Sequence, residues 1–514
     1  MGFSGLDYAV VVLYLAGTTA AGLWASGKQK SVSDYFLGGH RLPWWAVLFS
    51  VVATETSTLT FISIPAVAYG GSLVFLQITF GYIVGRTMVA LFFLPRYFQG
   101  KMTTAYAFIG YRFGKGARTV TSSTFMITRL LADGVRLFAS AIPIAIILRL
   151  AGTGLSDLEI YFAAILAISG VTLVYTLLGG IRAVVWMDVL QMGVYIGGAL
   201  LAAGILLSRM PEGLSGAMKM AGEAGKLKLL FSGFGLSFRE FMAQPYTFFT
   251  ALIGGGVFSL ASHGTDQLIV QRLLATRNLR DSRRALIGSG IVVFFQFALF
   301  LFIGLLLFGF YGGKNPASLG LATTDEVFAK FIVEGFPPGL SGLVVAAILA
   351  AAMSTLSSSI NSLASSTTLD LYQTYRKRKS PRTDLIVSRL STVIWAFIIT
   401  GSACVFAVLQ LKSPAGRPAV VELGLGIASY TYGGLLGIFC LGFLSRKIKS
   451  RDALIGFFTG LTALLFLVEG PLQKILPGEG LHIAWPLYTL FGSLIAIGMG
   501  YLSCLARIFG NRKN

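Results

Sequence analysis

A chain of 514 residues that is 55% hydrophobic and only 12% charged excludes a soluble globular enzyme, because long apolar runs with so few charges make a polytopic helical membrane protein. The net charge of +20 does not point to nucleic acid, since Lys and Arg sit in short loops between apolar spans, where they set topology. Cys404, Cys440 and Cys504 fall inside predicted spans, and with three His they supply neither a disulfide framework nor a transition-metal site.

Apolar runs and their breaks predict about 13 spans. They cover 6–26, 43–71, 73–95, 119–149, 157–178, 182–208, 246–269, 284–312, 338–368, 383–411, 419–444, 452–470 and 484–508. The first carries Asp7 rather than basic residues at its start and lacks a convincing cleavage site, so it reads as a retained helix. The second is interrupted near the bilayer midplane by Thr54, Glu55, Thr56, Ser57, Thr58 and Thr60. Non-helical backbone at that depth is tolerated where it lines a cavity, and an ionisable side chain there is a functional-site candidate; hydroxyls alone could equally glue helices together.

Span four carries Arg129, Asp133 and Arg136 on one face. Arg129 with Asp133 reads as a structural ion pair, which leaves Arg136 either to read a solute carboxylate or to neutralise Glu55. Asp188, at the inner end of span six, needs a partner: sodium, Arg182 or another arginine at that end. The stretch 209–245 is too short to fold alone but could cap a pore. Span seven, Tyr246 to Ile269, is interrupted at Gly254, Gly255 and Gly256 and again at Ser262 to Asp266. It lies five spans after the first interrupted one, which predicts two inverted repeats, although the glycines also suit close helix packing. Span nine crowds Ser354, Thr355, Ser357, Ser358, Ser359 and Asn361 into its inner half; such hard oxygen ligands suit sodium, or again join helices.

Loops with Arg112, Lys115 and Arg118, with Arg277 to Arg284, with Arg376 to Arg382 and with Arg446 to Arg451 are predicted to be cytoplasmic. Opposite loops carry Glu212, Glu223, Asp325, Glu326 and Glu334, so the N-terminus is predicted outside and Arg512 and Lys513 inside. The expected division is an extra span and loop (1–42), a first repeat (43–208), an outer loop (209–245), a second repeat (246–444) and two further spans with a short tail (445–514). No nucleophile–base pair or metal-ligand set converges at one depth, against an enzyme, and no GxxxxGK loop marks a primary pump.

Four blocks, DYFLGGHRLPWWAV, GGIRAVVWMDVLQ, GTDQLIVQR and AAAMSTLSSSINS, in this order, resemble the sodium:solute symporter family. The resemblance implies an all-α fold with inverted repeats shared with the bacterial leucine transporter, and uptake driven by Na+ through alternating access, with no other cofactor. It implies a main sodium site at the carbonyls of Ala53, Thr56 and Ala351 and the hydroxyls of Ser354 and Thr355. In some members a second sodium joins the residues matching Asp188, Ser354, Ser357 and Ser358. GTDQLIVQR is similar to the sugar and inositol branch, which implies substrate contacts near Thr60, Gln77, Thr265 and Asp266. Glu55 departs from the Asn of a bacterial galactose member, against a simple sugar, and Arg136 is similar to the carboxylate-reading arginine of sialic acid members. The expectation is a sodium-coupled symporter in the membrane lipid of a bacterial plasma membrane, carrying a sugar, sugar acid or related polyol or carboxylate. The alternatives are an amino-acid or monocarboxylate symporter, then a transporter-like sensor or channel.

Overall fold

A computed structural model describes residues 4–27, 29–150, 154–321, 323–377, 380–412, 420–467 and 482–510. These residues are mostly helical, with no strand among them beyond one isolated bridge, Leu42 to Thr276. The principal helices are α1 (Gly5–Ser26), α2 (Trp44–Glu55), α3 (Thr58–Gly70), α4 (Leu73–Gln99), α5 (Lys115–Leu150), α6 (Asp157–Arg209) and α7 (Gly255–Gly264). The remainder are α8 (Gln267–Leu274), α9 (Leu279–Phe310), α10 (Leu340–Ser366), α11 (Pro381–Lys412), α12 (Val420–Leu444), α13 (Ser450–Leu467) and α14 (Tyr488–Gly510). Seven described helices are long and apolar enough to cross a membrane, and the bent pair α2–α3 makes an eighth. α6 runs through two predicted spans and turns at Gly180, whose φ of 55° favours glycine and where a Cβ would lie 2.4 Å from Tyr35 O. α4 runs past the predicted end of span three at 95, carrying on through a π turn at Val89–Phe93 to Gln99.

The centre of the molecule is α10, whose most apolar window is 94% buried. Its Ala and Ser residues are small, which lets α1, α5, α6 and α11 close around it. The hydroxyls of Ser357, Ser358 and Ser359 donate to carbonyls one turn back at 2.6 to 3.1 Å, so these three are satisfied within the helix itself. The N-terminus of α10 is capped from another helix: Asp7 Oδ1 accepts from Gly339 N at 2.8 Å and Gly342 N at 2.7 Å. Asp7→Ala would leave both amides buried without a partner, at a cost of about 1–3 kcal/mol each. The expected result is a lower thermal midpoint with an unchanged response to sodium; a variant as stable as the parent would remove Asp7 as the tie between α1 and α10.

Two breaks interrupt the bundle. α2 and α3 meet at 65°, with Thr56 (φ −83°, ψ 98°) and Ser57 (φ −95°, ψ 174°) extended between them. The hydroxyls of this run bond to different neighbours, Thr56 Oγ1 accepting from Gln296 Nε2 at 2.6 Å and Thr58 Oγ1 donating to Ile348 O at 3.2 Å. The second break lies at Thr265–Asp266, where Asp266 Oδ1 caps α8 by accepting from Leu268 N at 2.8 Å. The predicted interruption at Gly254 to Gly256 is corrected: a π turn, Thr250–Gly254, runs directly into α7. Those glycines serve close packing instead. A Cβ on Gly81 would sit 2.4 Å from Ala251 O, and one on Gly85 would sit 2.3 Å from Gly256 O, so α4 and α7 touch backbone to backbone.

Candidate functional site

Both breaks border one cavity of about 110 Å³, lined by Glu55, Thr60, Arg129, Arg136 and His263 between aromatic walls that include Phe75 and Tyr432. Of the expected substrate contacts, Glu55, Thr60 and Arg136 therefore come together. Thr265 and Asp266 are fully buried behind the cavity; Asp266 communicates with it through Arg129. Gln77 lies outside the lining, with its amide engaged by Tyr246 O at 2.9 Å and Phe231 N at 3.3 Å.

Charge pairing differs from the sequence expectation at two points. Glu55 does not meet Arg136: it pairs with Arg86 of α4, and its Oε1 lies 2.9 Å from His263 Nε2. Arg86 is wholly buried and needs an acid at that depth, and its Nη1 donates to Ser289 Oγ at 2.7 Å. The principal acid of Arg129 is Asp266, which also accepts from Tyr432 Oη at 2.6 Å, whereas Asp133 stands 3.5 Å away. Arg136 then faces Asp133 at 3.7 Å, and Asp133 Oδ2 has no hydrogen-bond partner. The surplus positive charge expected on α5 is thus cancelled from another helix. Arg86, Arg129 and Arg136 stand against Glu55, Asp133 and Asp266 among the described residues.

Glu55→Gln would strand Arg86 as a buried cation, a change that costs roughly 3–5 kcal/mol. Adding Arg86→Met should recover most of that stability. Thermal unfolding in detergent measures both, and a double variant no more stable than Glu55→Gln alone would rule out the pair.

The five oxygens expected to hold sodium sit at the first break. Ser354 Oγ donates to Ala53 O at 2.9 Å and lies 3.1 Å from Ala351 O, and Thr355 Oγ1 lies 3.2 Å from Ala351 O. Of these contacts, the one from Ser354 to Ala53 O joins α10 to α2 one turn before the unwound Thr56, and the two to Ala351 O lie within α10. Hydroxyls rotate freely between donating to a carbonyl and turning a lone pair to a cation, and oxygen donors are the ligand type that a small hard ion asks for.

Below this point, Asp188 is fully buried and its partner is Arg272 at 3.3 Å, not the exposed Arg182. Arg272 Nη2 also donates to Ser358 Oγ, and Ser50 Oγ donates to Asp188 Oδ2 at 2.5 Å. Asp188 Oδ1 has no hydrogen-bond partner, and Ser357 Oγ turns to Ser354 O at 3.0 Å. Arg86, Arg272 and Ser50 were not anticipated. For Arg86 the available signal was an arginine inside an apolar span with no acid one turn away, which must find one on another helix; Arg272 lies beyond the predicted end of span seven at 269, and no such signal marks it or Ser50.

The profile of the sodium:solute symporter family matches residues 35–460. The chain belongs to the sodium:solute symporter family. This symporter is 30% identical over 474 residues to the sodium/sialic acid symporter SiaT of Proteus mirabilis, covering 90% of this chain and 89% of that one. It is 29% identical over 476 residues to the sodium/iodide cotransporter of Homo sapiens, covering 91% and 70%. A solved substrate-bound, outward-open Na+-coupled sialic acid symporter superposes with a TM-score of 0.81 at 27% identity, covering 98% of each chain. The symporter is an integral membrane protein that couples Na+ to movement of a small solute, and not an enzyme. Two relatives of near-equal identity carry names as different as iodide and sialic acid, so the solute has to be read from the cavity.

Proposed function

We propose that the symporter takes up a compact organic acid that also bears a hydroxyl or amino group. The observation that carries this reading is Arg136. It lines the cavity with 15% of its side chain exposed and with Asp133 no nearer than 3.7 Å, while Arg86 and Arg129 are each held by a closer acid. A solute carboxylate at that position gains the planar, bidentate geometry that Asp133 does not supply. Glu55, 24% exposed and flanked by Arg86 and His263, accepts hydrogen bonds but has none to donate when ionised, so the solute must bring a donor to it. A space of about 110 Å³ is of the order of an engineered cavity of about 150 Å³ that holds benzene, which supports a solute of few carbon atoms. Sialic acid is larger, and a sugar acid of that size remains the second reading, supported by the likeness to the sialic acid symporter.

Under this reading, Ala53, Thr56, Ala351, Ser354 and Thr355 hold the driving sodium. The partnerless Asp188 Oδ1, with Ser357 and Ser358, is where a second sodium would join. The basic loops face the cytoplasm of a bacterial cell, and residues 43–208 and 246–444 are the two inverted repeats. Uptake into proteoliposomes tests the solute: a short hydroxy acid, the same acid lacking its hydroxyl, the matching neutral alcohol and sialic acid, each with sodium or potassium outside. Sodium-dependent uptake of the short hydroxy acid above the others is expected. Uptake of the neutral alcohol alone would defeat the carboxylate reading, and equal uptake of the two short acids would defeat the role of Glu55.

A further inference from the structure

α9 has 32 residues, so at 1.5 Å per residue it is about 48 Å long against about 30 Å of hydrocarbon. Its first turns therefore stand at headgroup depth. Arg280, Arg283, Arg284 and Ile287 follow one another there at i, i+3, i+4 and i+7, on a single face. They line a surface groove of about 650 Å³ whose other wall includes Trp44, the first residue of α2. Gly288 keeps the two helices together, since a Cβ there would fall 2.5 Å from the Leu48 side chain. Arg283 Nε donates to Ala90 O at 2.8 Å. No ion pair joins Arg280, Arg283 or Arg284 to a carboxylate of the described residues. Further along the same face Ile291 and Phe295 are exposed and apolar, running toward the hydrocarbon core.

A topology signal asks only for basic residues in the loop. It does not ask for three guanidinium groups on one helix face, opposite an interfacial tryptophan and continuous with an apolar stripe. We propose that this groove is a binding site for an anionic phospholipid, with its phosphate among Arg280, Arg283 and Arg284 and an acyl chain along Ile287, Ile291 and Phe295. Guanidinium groups match phosphate oxygens two at a time, and basic pockets between helices on the cytoplasmic side suit such headgroups. The site rests on the proposed orientation, which puts this end of α9 in the inner leaflet, and is independent of which solute is carried. Because Trp44 opens the helix that bears Ala53, a lipid seated there braces the inner end of α2 against α9.

The test uses the full-length protein, Arg280→Gln with Arg284→Gln, and a charge-matched control, Lys115→Gln with Arg382→Gln, on exposed positions elsewhere. Thermal midpoints are followed while phosphatidylglycerol, phosphatidylcholine or inorganic phosphate is titrated into detergent, and lipid retained through purification is counted by native mass spectrometry. Phosphatidylglycerol should raise the midpoint of the parent and the control by several degrees, with at least one copy retained. The arginine variant should lose most of both effects while keeping its response to sodium, which shows that it is folded. Arg280→Lys with Arg284→Lys, which keeps charge but not the fork, should fall between. An arginine variant that responds like the parent, or phosphatidylcholine or free phosphate as effective as phosphatidylglycerol, would overturn the site.

Discussion

Ser354→Ala combined with Thr355→Val is expected to abolish the stabilisation that sodium gives over potassium at equal ionic strength. A ligand at 100 times its dissociation constant stabilises the folded state by about 2.7 kcal/mol, and both hydroxyls belong to the set that meets Ala53 O and Ala351 O between α2 and α10. Valine keeps the shape of threonine and loses its oxygen. Because Ser354 Oγ also donates to Ala53 O at 2.9 Å and Thr355 Oγ1 to Ala351 O at 3.2 Å, the double variant should be less stable in potassium as well, by about 1 kcal/mol for each lost hydrogen bond. The informative quantity is therefore the difference between the two salts. Undiminished sodium-driven uptake by the double variant would remove these residues from the sodium site.

Arg136→Lys should reduce kcat/KM for the acid by about 10- to 100-fold, equivalent to roughly 1.4–3 kcal/mol of a charge-assisted contact, although the positive charge is retained. The reason is geometric: an ammonium is a point charge on a flexible stem and cannot present two parallel donors to a carboxylate. Glu55 is committed to Arg86 and His263, so the stability effects of Glu55→Gln and Arg136→Lys should add within about 0.5 kcal/mol, as for independent sites. Lysine at 136 supporting full uptake would mean that this guanidinium serves Asp133 and not the solute.

What the sequence made legible follows from what is local. The broken helix was visible because Thr54 to Thr60 with Glu55 is a polar run that a spanning helix cannot carry on a lipid face. Arg129, Asp133 and Arg136 were visible as neighbours because helical spacing places them on one face. Helical spacing says nothing about which helix lies opposite. Arg129 therefore looked paired with Asp133, yet its stronger partner, Asp266, comes from a break 137 residues away. Arg86 and Arg272 were passed over for the same reason, since each finds its acid on another element, Glu55 and Asp188. Three glycines in a row looked like a break because glycine weakens a helix; packing against α4 outweighed that preference, and the helix continues through them.

The matched set of Arg86, Arg129 and Arg136 against Glu55, Asp133 and Asp266 bears on the electrical behaviour of the cycle. Over a complete cycle the protein's own charges return to where they began, so the charge crossing the membrane in each turnover is that of the cargo; the pairing of acids with bases around the cavity means only that little fixed charge moves in the individual steps. One carboxylate accompanied by one sodium carries no current, and the membrane potential, worth about 2.3 kcal/mol per elementary charge at 100 mV, neither helps nor opposes it. The sodium concentration ratio alone then sets how far the solute can be accumulated. A second sodium near Asp188 would turn the same cycle into an inward current, and a voltage-clamped membrane would count the ions directly.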